Sequence, residues 1–136
     1  MKNSPSSTVL ACALAASLTP LAGYAADTSP DQVLNRWSAQ AGSPGNPATG
    51  RVFFQSRHGG EWSCASCHGS SPTGPGQHAG TGKAIPPLAP AFNPKPLTDT
   101  AKVDKWFRRN CKDVLARECS PAEKADVLAF LNSLKP

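Results

Sequence analysis

Residues 64–68 read Cys64-Ala65-Ser66-Cys67-His68, and this run constrains the chain more than any other. Two thiols separated by two residues match the spacing of two vinyl groups on a porphyrin, and C-x-x-C-H is the attachment signature of c-type haem. His68 follows the second thiol directly, so its imidazole reaches the iron from one side. The same residues admit a zinc half-site, a redox pair or a plain disulfide. Zinc needs a second ligand pair, and only His58 and His78 are left to supply it. A thioredoxin-like pair needs a βαβ setting, and no strand pattern surrounds the motif. The reading is one covalent haem c, with Cys64 and Cys67 as its attachment residues and His68 as an axial ligand.

The N-terminus predicts export. Lys2 precedes an apolar run, Val9–Leu18, and Gly23-Tyr24-Ala25 places small residues where signal peptidase cuts. Residues 1–25 are read as a cleaved signal peptide. The apolar run is too short to span a bilayer, and no other candidate span follows. Of the five cysteines, Cys12 leaves with the signal. Cys111 and Cys119 remain beside the haem pair, and an oxidising compartment favours a disulfide between them. A mature chain of about 110 residues builds a modest core, to which a covalent haem adds apolar bulk. The formal charge of +5 is mild and spread along the chain. It suits an acidic redox partner, and no nucleic-acid motif accompanies it.

The chain predicts a small all-α protein. Ser29 caps a first helix with Pro30 at its first position, and Val33, Leu34, Trp37 and Ala41 share one face. The run Gly42–Pro47 breaks it. A second helix is expected over about 48–57, with Gly50, Phe53 and Phe54 at spacings of three and four. Residues 69–82 read as a surface loop. The proline-rich run 85–96 reads as a rigid extended segment over the haem, with Leu88 and Phe92 buried. A third helix is expected over about 100–111, with Val103, Trp106, Phe107 and Asn110 on one stripe. Ser120, Pro121 and Glu123 form a capping box for the last helix, whose apolar face is Val127, Leu128, Leu131 and Leu134, with Phe130 extending it.

The second axial position is open to several residues. Electron-carrying cytochromes c usually supply Met or His there. The one methionine is Met1, which leaves with the signal peptide, so Met ligation is excluded. His58, His78, Asn110, a lysine or no residue remain. Asn110 is distinguished as a polar residue on an apolar stripe, and a buried amide needs a partner. Ordinary hydrogen bonding to backbone would also satisfy it.

The helix before the haem motif resembles the first helix of class I cytochromes c. More specifically, several runs resemble the sphaeroides haem protein (SHP) family of cytochromes c. They are the haem motif, Gly82-Lys83-Ala84-Ile85 leading to Pro87-Leu88-Ala89-Pro90, Thr98-Asp99, and Val103-Asp104-Lys105-Trp106-Phe107-Arg108-Arg109-Asn110-Cys111. Arg117-Glu118-Cys119 and Glu123-Lys124 continue the pattern. The resemblance spans about Gly50 to Leu131 and leaves 26–45 outside it. It implies a periplasmic protein with Asn110 as distal axial ligand and Cys111 disulfide-bonded to Cys119. It also implies a diatomic gas ligand (O2, NO or CO) on the reduced iron and a dihaem cytochrome c as electron donor. The division is then signal peptide 1–25, N-terminal helix and linker 26–47, and cytochrome c domain 48–136.

A neutral amide is a hard, weak ligand that suits ferric better than ferrous iron, so the expected device is a gas site opened by reduction. Trp106 and Phe107 are expected to line its distal side. Two alternatives stay open. One is a plain electron-transfer cytochrome with a histidine distal ligand. The other is a haem oxidase or reductase acting on a small molecule, for which no clear distal acid–base pair is present.

Overall fold

The computed structural model describes residues 26–136; the signal-peptide reading of residues 1–25, with Cys12, lies outside the described residues. Helix starts follow local capping chemistry. Ser29 Oγ accepts from the Gln32 amide, and Pro30 opens α1 (Pro30–Ala41). Asn46 Oδ1 accepts from the Ala48 and Thr49 amides ahead of α2 (Pro47–Gln55). The haem motif forms α3 (Cys64–His68). Two short strands follow, β1 (Gly76–Gln77) and β2 (Ala84–Ile85), paired antiparallel with Gly76 opposite Ile85. Asp99 caps α4 (Thr100–Leu115) through the Lys102 amide. Ser120 and Glu123 close a reciprocal box at the start of α5 (Pro121–Ser133).

α5 is the hub. Sequence periodicity predicts a single apolar face, yet Ala125, Val127, Leu128, Ala129, Phe130, Leu131 and even Lys124 are buried. The reason is that neighbours flank it on two sides. Ala125 and Leu128 pack with Val33 and Trp37 of α1, and with Leu97 and Val103. Val127, Phe130 and Leu131 pack with Phe54 of α2. Phe107 of α4 touches both groups. Full burial of side chains such as Phe54 and Leu128 contributes about 2 kcal/mol each. α1, which falls in the 26–47 segment, thus belongs to the same core as the haem motif's neighbours.

α1 is also tied by charge. The Arg36 guanidinium grips both carboxylate oxygens of Asp104 on α4. The Lys124 ammonium sits 3.9 Å from the Trp37 ring centre, a cation–π contact that makes a buried lysine tolerable.

Three expectations change in detail. α2 ends at Gln55 rather than Arg57, because Ser56 hydrogen-bonds back to Val52 and the chain turns at His58 with φ +50°. α4 runs to Leu115 rather than stopping at Cys111, because Val114 continues the buried stripe of Val103 and Cys111. The loop 69–82 holds the first strand of a hairpin, whose turn His78 closes by accepting from the Gly80 and Thr81 amides. Among the described residues no helix is long and apolar enough to cross a membrane.

Candidate haem site

The site is built on one short turn. Ser63 Oγ accepts from the Ser66 amide at 3.1 Å and Ser66 Oγ accepts from the Ser63 amide at 2.9 Å. This box fixes α3 and so the direction of Cys64, Cys67 and His68. Both thiols are free and half-buried. Cys64 packs against the Phe54–Phe130 group, and burial pushes its thiol up to about 11. The His68 ring centre lies 6.2 Å from that of Phe54. Burial pushes the His68 pKa down, which keeps the imidazole neutral, the form that binds a metal. β1 runs hard against this turn: a Cβ on Gly76 would overlap the Cys67 carbonyl.

The segment 85–93 forms the next wall. The Leu88 and Ala89 amides both donate to the Pro72 carbonyl, at 3.1 and 3.0 Å. Asn93 Nδ2 donates to the Pro87 carbonyl at 2.9 Å. Leu88 packs on the Phe54 group and Ala89 is fully buried, whereas Phe92 is 37% exposed. The sequence pattern predicts burial of Phe92 over the haem, but the chain turns at Ala89, where the Phe92 and Asn93 amides donate to the Ala89 carbonyl, and carries the ring outward. The Pro72 clamp leaves no periodic signal in the sequence.

α4 supplies the remaining wall. The buried stripe is Val103, Cys111 and Val114, with Phe107 half-buried among them. Trp106 and Asn110 do not lie on it. They stand one turn apart on its flank, Trp106 51% exposed and Asn110 exposed. A period of 3.6 puts residues 106 and 110 beside, rather than within, a stripe that runs 103, 107, 111, 114. Phe107 packs against the same group as Cys64 and Leu88, so this side of α4 faces the haem motif. The Asn110 carboxamide has no hydrogen-bond partner among the described residues.

Cys111 is bonded to Cys119, with Cα atoms 5.5 Å apart. In the same corner Arg117 pairs with Glu123 at 2.7 Å. His58 and His78 are both used locally. His58 Nε2 is 2.8 Å from the Phe53 carbonyl, and its ring stacks on Phe53 with centres 4.3 Å apart. His78 closes the hairpin turn.

The donor set fits a covalent haem. Two reduced thiols and a neutral imidazole occupy one turn, and Phe53, Phe54, Leu88, Phe107 and Phe130 provide apolar surroundings. A bare-metal site fits poorly, because no three His, Cys, Asp or Glu side chains converge among the described residues.

Comparisons with known proteins agree. A family model described as a domain of unknown function, DUF1924, matches residues 40–131. The chain is 47% identical over 111 residues to the cytochrome c-type protein SHP of Cereibacter sphaeroides, covering 79% of this chain and 85% of that protein. It is 45% identical over 86 residues to cytochrome c'' of Methylophilus methylotrophus, covering 60% of each. The structure of oxidized SHP, described as an oxygen binding cytochrome c, matches with a TM-score of 0.74 at 46% identity, covering 79% of this chain and 99% of that one. The crystal structure of oxidized cytochrome c'' matches with a TM-score of 0.68 at 34% identity, covering 79% of this chain and 95% of that one. The all-α architecture is therefore a haem fold, and the cofactor is a single covalently attached haem c. The chain belongs to the SHP-type cytochromes c, and it matches the family described as DUF1924.

Proposed function

We propose that this is an exported, periplasmic monohaem cytochrome whose distal ligand leaves on reduction, so that a diatomic gas binds in its place. Cys64 and Cys67 hold the haem, and His68 and Asn110 are the axial ligands. The observation that carries this reading is the Asn110 carboxamide, which no described residue binds and which stands on α4 at the flank of the stripe that carries Phe107, while His58 and His78 are both held in local turns. The resemblance to a protein described as oxygen binding supports the gas ligand.

A bound haem would supply a redox-active iron able to take a small ligand. His68 presents a neutral imidazole from a buried setting. Asn110 would present an amide oxygen, a hard neutral donor that suits ferric iron better than ferrous. Phe107 would give the distal side an apolar wall, which favours O2, NO or CO over water, whereas Trp106 is half exposed. The Cys111–Cys119 bond holds the α4 backbone beside Asn110, so the side chain moves while its helix stays. A dihaem cytochrome c is the proposed electron donor.

A plain electron carrier is the alternative. Electron transfer favours a coordination sphere unchanged by reduction, and a ligand that departs adds reorganisation. Absorption spectra of the holoprotein decide between the two. A high-spin ferrous spectrum that shifts fully on adding CO supports the gas site. A low-spin ferrous spectrum indifferent to CO supports the carrier.

A further inference from the structure

Lys105, Arg108, Arg109 and Lys112 follow one another at spacings of 0, 3, 4 and 7 along α4, and all four are exposed. At 3.6 residues per turn they form a single stripe, on the side of the helix opposite the buried Val103, Cys111 and Val114. None is in an ion pair with a described residue. The acids of the helix lie off the stripe: Asp104 is bound to Arg36 and Asp113 sits on the flank. Like charges three and four residues apart destabilise a helix, so the stripe carries a cost that a mixed, solvated face avoids. Beside it stands Trp106, half exposed, with the Arg109 guanidinium 5.3 Å from its ring centre. An exposed Trp stacked with Arg is the composition of a protein-binding hot spot.

We infer that this outer stripe of α4, with Trp106 at its edge, is the docking surface for an acidic electron-donor protein. The donor's carboxylates face Lys105, Arg108, Arg109 and Lys112. On docking, the donor is oxidised by one electron and the cytochrome is reduced by one, with no atom transferred. An anionic membrane fits less well. An interfacial helix needs a continuous apolar face, and here Val103, Phe107, Cys111 and Val114 are turned into the core, leaving Trp106 alone. The inference rests on the proposed uptake of an electron, but not on the identity of the distal ligand.

The test uses ferric holoprotein and two reductants in stopped flow: flavodoxin hydroquinone, an acidic one-electron donor protein, and a small neutral hydroquinone. In the variant Lys105→Glu/Arg108→Glu/Lys112→Glu, the second-order rate with flavodoxin should fall by about tenfold or more at low salt. Its dependence on salt between about 20 and 300 mM should flatten. The rate with the neutral reductant should not change. Charge reversal elsewhere, Arg57→Glu/Lys83→Glu/Lys95→Glu, should lower the flavodoxin rate much less. The milder Lys105→Gln/Lys112→Gln pair, which relieves repulsion within the helix, should give a smaller loss in the same direction and serves if the triple reversal does not fold. Equal losses in the stripe and control variants, or an unchanged flavodoxin rate, would overturn the assignment. Slow reduction of wild type by both reductants would overturn the electron-uptake reading and this inference with it. If only the gas reading is wrong, the ferrous protein ignores CO while the ratio of the two rates still responds to the stripe.

Discussion

Gly50 of α2 lies against the backbone carbonyl of Asp126 in α5, so close that a side-chain carbon at Gly50 would overlap that oxygen. This contact sets the crossing of the two helices and brings Phe54 onto Phe130, with ring centres 5.5 Å apart. The same ring of Phe54 backs His68. Gly50→Ala should therefore destabilise the holoprotein by about 2–3 kcal/mol, read as a lower urea midpoint with an unchanged slope. Gly42→Ala should cost about 1 kcal/mol, because Gly42 needs only its positive φ and has open space around it. Equal effects at the two positions would contradict the close crossing.

The corner between α4 and α5 is predicted to govern acid stability. The Arg117 guanidinium beside Glu123 lowers the carboxyl to about 2 from an ordinary 4.5. A carboxyl lowered on folding adds stability that is fully present above its unfolded pKa and lost as pH falls through the folded one. The window is thus between about 4.5 and about 2. Asp104 is lowered by Arg36 in the same direction. Discounting for solvent screening of a pair at the surface, Glu123→Gln should cost about 1–2 kcal/mol at neutral pH. Urea titrations at several pH values should show a shallower acid decline in the variant. An unchanged decline would mean that the pair contributes nothing to folding.

The disulfide joins residues 8 apart in sequence. Removing it with Cys111→Ser or Cys119→Ser should lower stability by about 2–3 kcal/mol, from the chain entropy of a short loop. Because Cys111 adjoins Asn110, the same change should speed CO binding to the reduced protein. A stability loss with unaltered CO kinetics would separate the bridge from the ligand.

Much of this architecture is legible in the sequence where the determinants are local. Ser29-Pro30 and Ser120-Pro121 with Glu123 mark helix starts that the structure reproduces residue for residue, because a cap is a contact between neighbours. The haem motif is legible for the same reason. What escapes is set by packing at a distance. Periodicity gives α5 one apolar face, but α1 and α2 on two sides bury Lys124 and Ala129 as well. The end of α4 is missed because Ala116 takes a left-handed turn at φ +58° where glycine would be expected. Trp106 and Asn110 look like members of the core stripe because spacings of three and four cannot tell its centre from its edge. The clamp of Leu88 and Ala89 on Pro72 depends on backbone groups that carry no residue preference.

Asn110 is proposed to occupy the distal position in the ferric protein and to leave it on reduction. The most direct test is the ferric absorption spectrum of Asn110→Ala holoprotein against wild type, followed by CO binding to both after reduction. Haem should stay attached in the variant, its ferric iron should become high-spin or water-ligated, and its ferrous CO complex should match that of wild type. A ferric spectrum identical to wild type would contradict it and place the distal ligand elsewhere.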